Sequence, residues 1–165
     1  SVNVSQMDFD RPNIAQELAD IADSFNIPHN LLHLEITESA NASDKVKKFD
    51  TVFSFNEKGF KIELDDFGTG YSTLSALGEL PIDTMKIDMS LIRNMFEPKH
   101  QAILKSVIYT AEGLKLSAVA EGVETQEQVK ALMDMCQDNV KLYVQGYFYS
   151  KPLPVQQFEQ YLLEH

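Results

Sequence analysis

The stretch Lys61–Gly70 reads KIELDDFGTG, an extended run that ends in the adjacent carboxylates Asp65 and Asp66 and a glycine-bounded turn. Two like charges about 4 Å apart repel by roughly 4 kcal/mol at an effective dielectric near 20. Carboxylates are therefore crowded mainly where a metal ion, a proton or a basic group offsets the repulsion. A single Asp at a strand end more often caps the next helix, which is the alternative for Asp66 before a helix near Tyr71. Two acids followed by Gly-Thr-Gly favour a cation site.

Short apolar, β-branched segments alternate with longer amphipathic segments along the chain. The predicted strands are Ser1–Ser5, Leu32–Thr37, Lys61–Asp66, Thr84–Asp88, Ser117–Ala120 and Tyr143–Phe148. The predicted helices are Asn13–Phe25, Ser43–Lys58, Tyr71–Leu77, Lys99–Leu114, Thr125–Cys136 and Val155–Leu163. Right-handed crossovers between alternating elements predict parallel strands, in either an open doubly wound sheet or a (β/α)₈ barrel.

Length and composition set the class of protein. A chain of 165 residues with 44% hydrophobic content can bury the core of one domain, which we expect over residues 1–162. Residues 163–165 resemble the start of a vector-derived tag. The net charge of −11 excludes duplex DNA and anionic membrane surfaces as partners, because both require basic residues. The lone Cys136 and the lack of a long apolar run fit a cytoplasmic location.

Polar residues follow the predicted strands at their carboxyl ends, where the loops of such folds converge. They are Asn3, Glu35, Glu38, Asp65, Asp66, Lys86, Asp88, Glu121, Glu124 and Gln145. Taken singly, Asn3, Asp88 and Gln145 are best explained as solvated or capping residues. Together, carboxylates with an amide suit Mg²⁺ or Mn²⁺, whereas Zn²⁺ would recruit histidine or cysteine. Thr125 and Gln128 have the spacing of a helix capping box.

Several separated motifs in this order resemble the EAL-domain family, the cyclic di-GMP phosphodiesterases of bacterial signalling. They are SVNVS with Asn3, LEITES with Glu35 and Glu38, DDFGTGYS with Asp65 and Asp66, MKID with Lys86, AEGVET with Glu121 and Glu124, and VQGYFYSKP with Gln145. The resemblance covers essentially the whole chain. It implies a (β/α)₈ barrel, two divalent ions at the carboxyl ends of the strands, and hydrolysis of cyclic di-GMP to linear pGpG.

The same resemblance implies a role for each matching residue. The metal ligands would be Asn3, Glu35, Asp65 and Asp66, the last for the second ion. Glu121 would lie beside the attacking water and accept its proton, and Lys86 would orient that water or neutralise phosphate charge. Around them, Gln145 would lie near the guanine-binding surface, Glu38 would anchor the loop of residues 67–72, and Glu124 would support the ligands.

The chain departs from the family in one respect: it contains no Glu-Ala-Leu motif. In the family that glutamate is a metal ligand and lies before the segment that matches Asn3. A barrel of this type needs about 250 residues, so six β/α units predict an incomplete barrel. We expect such a piece to be inactive alone. We also expect it to associate, or to exchange strands, as a homodimer through its open edges. The connection Met135–Leu142 is also longer than the family's.

Three functions stay open at this point. The first is a cyclic di-GMP phosphodiesterase that uses two Mg²⁺ or Mn²⁺ ions. The second is a non-catalytic cyclic di-GMP receptor or protein-interaction module, which a missing upstream glutamate would favour. The third makes Lys86 a Schiff-base lysine, but this needs a depressed pKa, and nearby carboxylates would raise it.

Overall fold

Six parallel strands form one sheet in chain order, from β1 at one edge to β6 at the other. The computed structural model describes residues 1–37, 45–68, 74–136 and 141–164. The strands are β1 Val2–Val4, β2 His33–Thr37, β3 Lys61–Phe67, β4 Thr84–Ile87, β5 Ser117–Glu121 and β6 Leu142–Gln145. A strand order that never reverses is that of a barrel wall and not of a doubly wound sheet. The fold is therefore an α/β fold of the (β/α)₈ type, present as an incomplete barrel.

Helices connect successive strands. They are α1 Ile14–Ser24, α2 Lys45–Glu57, α3 Leu74–Glu79, α4 Met89–Arg93, α5 Pro98–Gly113, α6 Gln126–Met135 and α7 Val155–Glu164. Two 3₁₀ turns, Asp8–Asp10 and His29–Leu31, precede α1 and β2 respectively. None of the helices in the described parts of the chain is long and apolar enough to cross a membrane.

The two faces of the sheet differ in chemistry because side chains alternate along each strand. One face carries apolar residues that pack against the helices and are almost fully buried: Leu34, Ile36, Ile62, Leu64, Met85, Ile87, Ala118 and Ala120. The strand registers place the intervening polar residues on the opposite face. We call this opposite face the polar face; it carries Asn3, Glu35, Glu63, Asp65, Thr84, Lys86, Glu121 and Gln145.

A β-bulge interrupts the pairing of β3 with β4. Leu64 lies opposite Met85 and Phe67 opposite Ile87, so Asp65 and Asp66 together oppose the single residue Lys86. Asp66 takes a left-handed backbone conformation, with φ of +57°. The extra residue lets Asp65 stay on the polar face while Phe67 returns to the helix side, where it is buried.

Most predicted elements are confirmed within the described residues, with two main differences. The predicted helix starts at Ser43 and Tyr71, and part of the connection Met135–Leu142, lie outside those residues. The sixth strand was predicted to reach Phe148 but ends at Gln145. The reason is that Gly146 lies against the backbone of Val123, so the chain turns there; a Cβ at residue 146 would be 2.0 Å from the Val123 carbonyl oxygen. Helix α4 was not predicted, because five residues are too few to show helical periodicity.

Candidate active site

The ammonium group of Lys86 lies among three carboxylates on the polar face. Its Nζ is 2.7 Å from Glu35 Oε2, 3.1 Å from Asp65 Oδ1 and 2.8 Å from Glu121 Oε1. The four side chains come from β2, β3, β4 and β5, so the order of the strands builds the cluster. The exposed fraction of the Lys86 side chain is 7%, which makes this a buried ion cluster and not a surface salt bridge.

The cluster changes the proton affinities of its members. Burial lowers the pKa of Lys86, but the hydrogen bonds that its ammonium group donates to Glu121, Glu35 and Asp65 outweigh this effect and hold the pKa above its ordinary value. Lys86 is therefore firmly charged at neutral pH. A Schiff-base lysine needs the opposite shift, so the third sequence-based hypothesis loses its physical basis.

Two carboxylates of the cluster are shifted in opposite directions. Burial raises the pKa of Glu35, but hydrogen bonds from Lys86 and the Ser1 hydroxyl reverse this effect, and the pKa is lowered overall. Burial also raises the pKa of Glu121; Lys86 acts against it, but the charges of Asp65 and Glu35 add to it, and the pKa is raised overall. Glu121 therefore holds a proton more readily than Glu35 does.

Asp66 differs from Asp65 in its backbone and in its exposure. It is the extra residue of the bulge, it has the left-handed conformation, and its side chain is exposed, whereas Asp65 is partly buried beside Lys86. Burial first, and then the neighbouring charges of Asp65 and Asp88, raise the pKa of the Asp66 carboxyl. The two adjacent acids of the sequence thus occupy two different environments.

The remaining predicted site residues lie around the cluster or beyond it. Asn3 pairs with Glu35 across β1 and β2, and Gln145 pairs with Glu121 across β5 and β6, so both are on the polar face and both are exposed. Glu124 is exposed in the loop after β5, where its backbone N–H donates to Gln128. Glu38, the predicted anchor of the loop after β3, lies outside the described residues.

Sequence reasoning missed the contribution of Ser1 and part of that of Asp88. Ser1 donates a hydrogen bond from its hydroxyl to Glu35, and no motif announces this contact. Asp88 was predicted to be a solvated or capping residue, and the capping role is confirmed: it caps α4 by accepting from the Ser90 N–H at 2.9 Å. It also adds negative charge near Asp66, which the sequence did not predict.

The donor set fits a divalent cation by charge and by chemistry. The carboxylates Glu35, Asp65 and Glu121 carry three negative charges and Lys86 one positive charge, which leaves a formal charge of −2. Oxygen donors of this kind suit Mg²⁺, Mn²⁺ or Ca²⁺. In the described residues no three His, Cys, Asp or Glu side chains form a ready-made metal cage, and the ammonium group supplies the positive charge at the centre.

Comparisons with known proteins show the family to which this chain belongs. A family model described as "EAL domain" matches residues 1–152. "Cyclic di-GMP phosphodiesterase NbdA" of Pseudomonas aeruginosa is 33% identical over 98% of this chain and 20% of its own length. This chain spans about a fifth of the length of the first curated relatives it matches.

Solved structures give the same result. The EAL domain of DcpA from Mycobacterium smegmatis has a TM-score of 0.87 and 34% identity, over 98% of this chain and 71% of that one. A manganese and cyclic di-GMP complex of BlrP1 from Klebsiella pneumoniae has a TM-score of 0.82 and 29% identity, over 92% of this chain and 38% of that one. With nearly all of its length matched by the family model and by the DcpA domain, this chain belongs to the EAL domain family.

Proposed function

We propose that this chain supplies six strands of a two-metal phosphodiesterase site that hydrolyses cyclic di-GMP to linear pGpG in bacterial second-messenger signalling. One observation carries the proposal: carboxylates from three strands meet one lysine on a single face of the sheet. The relative NbdA is named a cyclic di-GMP phosphodiesterase, and the structural neighbour BlrP1 holds manganese with the nucleotide, which supports both the substrate and the metal.

Asn3, Glu35, Asp65 and Asp66 would hold the ions, because they offer amide and carboxylate oxygens at neighbouring strand ends. Divalent ions held by these residues would lower the pKa of a bound water and offset negative charge on the phosphate oxygens. A protein nucleophile is then unnecessary. The bulge gives Asp65 and Asp66 different backbone conformations and different exposure, which suits ligation of two different ions.

The protein's own groups perform the remaining tasks. Glu121 accepts the proton that the attacking water releases, since its carboxylate lies at the carboxyl end of β5 inside the cluster. Lys86 presents a fixed positive charge to the phosphate oxygens, where negative charge increases in the transition state. Gln145, beside Glu121 in register, faces the nucleotide from the next strand.

Calorimetric titration of this chain with cyclic di-GMP tests the proposal. We expect binding with Ca²⁺, Mg²⁺ or Mn²⁺ and its loss in EDTA. Asp65→Asn should weaken the metal-dependent affinity at least about 10-fold while circular dichroism stays unchanged. The matched control is Asp134→Asn, the same substitution on an exposed residue of α6, which should bind as the wild type does.

Turnover distinguishes an enzyme from a receptor. Production of pGpG with Mn²⁺ or Mg²⁺ is measured in a chain that also includes the Glu-Ala-Leu segment, and Asp65→Asn should abolish it. Metal-free binding that Asp65→Asn leaves intact, without turnover, would instead establish a non-catalytic receptor. Unchanged turnover in Asp65→Asn would overturn the site assignment.

A further inference from the structure

Gln128 is a buried polar residue at the start of α6, with an exposed fraction of only 8%. Its side-chain oxygen accepts from the backbone N–H groups of Glu124 at 2.8 Å and Thr125 at 3.1 Å. Its side-chain nitrogen donates to the carbonyl of Ile92 at 3.3 Å. The amide of Gln128 thus forms hydrogen bonds through both its oxygen and its nitrogen.

Helix capping explains only part of this arrangement. Thr125 and Gln128 form the predicted capping box, in which each side chain bonds to the backbone of the other residue. A capping box does not require that the glutamine be buried, nor that its nitrogen reach another helix. The bonds to Glu124 and Ile92 join the loop of residues 122–125 to α4.

The two joined elements carry the reactive side chains. The loop directly follows Glu121 in β5, and α4 begins three residues after Lys86 in β4. Gly122 lets them come close: its φ is +70°, and a Cβ there would be 2.7 Å from Met89 Cβ. The Gln128 amide joins the same loop to the same helix through its bonds to Glu124, Thr125 and Ile92.

We propose that Gln128 is a positioning residue, which fixes the loop after β5 against α4 and thereby holds the Glu121 carboxylate at the Lys86 ammonium group. Gln128 touches neither charged group. It acts through the backbone that continues from Glu121. Its importance for turnover rests on the proposed function, whereas its control of the ion pair is a property of the fold alone.

A double-mutant cycle on this chain, without metal or nucleotide, tests the positioning role. The variants are Gln128→Met, which keeps the length and loses every side-chain hydrogen bond, Glu121→Gln, and their combination. We expect the change in Tm that Glu121→Gln causes to differ by about 2 °C or more between the wild type and Gln128→Met, because groups that act together are not additive. Thr125→Ala is the control, since it removes the other half of the capping box.

Each result of the cycle either supports or overturns the positioning role of Gln128. Coupling of Glu121→Gln to Gln128→Met but not to Thr125→Ala supports the proposal. Additive effects in both cycles, or equal coupling in both, would show that Gln128 is a helix cap and nothing more. If Gln128→Met does not fold, Gln128→Glu is used in its place. The glutamate side chain keeps the acceptor oxygen and loses the N–H that donates to Ile92. The same criteria then apply.

Binding then separates this inference from the proposed function. Titration with cyclic di-GMP and Ca²⁺ should show at least about 10-fold weaker affinity in Gln128→Met and unchanged affinity in Thr125→Ala. If the wild type does not bind, the proposed function fails while the cycle still decides the positioning role. If Gln128→Met binds as the wild type does, the ion pair that it controls is not used in nucleotide binding, and the extension of the role to function is overturned.

Discussion

Removal of the Lys86 charge is the most direct test of the buried cluster. Lys86→Met keeps most of the side-chain volume and deletes the ammonium group that lies 2.7–3.1 Å from three carboxylate oxygens. At an effective dielectric of about 20, each contact is worth about 5–6 kcal/mol of Coulomb attraction. The cost of removing the ammonium group and the carboxylates from water offsets most of this sum. Removing one partner of a buried ion pair costs about 3–5 kcal/mol, and we expect a loss of this size here.

Urea denaturation followed by circular dichroism in EDTA at neutral pH measures the loss. The matched control is Lys61→Met, because Lys61 pairs with Asp83 at 2.6 Å but its side chain is 43% exposed. That surface pair should contribute less than about 1 kcal/mol. Added Ca²⁺ should restore stability to Lys86→Met, since a divalent ion can replace the lost charge, and saturation at 100 times the Kd would restore about 2.7 kcal/mol. A loss no larger than that of Lys61→Met would refute the reasoning.

Two further predictions concern the scaffold. Gly146→Ala should lower the free energy of unfolding by about 3 kcal/mol or more, because the new methyl group would clash with the Val123 backbone. The control Gly113→Ala should not destabilise the protein, because no atom lies within 4 Å of the added methyl group. Equal urea midpoints for the two variants would contradict this prediction. The Lys58 carbonyl accepts a hydrogen bond from His29 Nδ1 at 2.7 Å and raises the pKa of His29 above 6.5. The charged ring therefore adds stability that is complete below pH 6.5 and is lost as the pH rises through the folded-state pKa. His29→Gln should therefore destabilise the protein near about pH 5.5 and much less near about pH 9, and a loss independent of pH in urea titrations would exclude this origin.

The positions of the strands were predictable because each has a strong local signal. In β3, apolar Ile62 and Leu64 predicted the buried strand, and the acids after them predicted a charged strand end. In β4, the apolar neighbours of Lys86 predicted a strand that carries a lysine. These signals require no knowledge of which strands are neighbours.

Features that depend on pairing were not predictable in the same way. The bulge at Asp65 and Asp66 exists only relative to β4, so the different surroundings of the two acids could not be derived from KIELDDFGTG alone. The early end of β6 depends on the contact between Gly146 and Val123, which are 23 positions apart in the sequence. Motif resemblance had grouped Glu35, Asp65, Lys86 and Glu121, but their meeting at one ammonium group follows from strand order and register.

The bulge also explains how this strand can carry two acids in a row. Leu64 and Phe67 are both buried on the helix side. The alternation of buried and polar side chains in β3 is therefore regular before and after Asp66, which is one extra residue in the strand. Strict alternation of side chains between the two faces would have placed one of the two carboxylates on the apolar, helix-facing side of the sheet. The extra residue instead adds a second acid to the strand, while its apolar neighbours Leu64 and Phe67 stay buried.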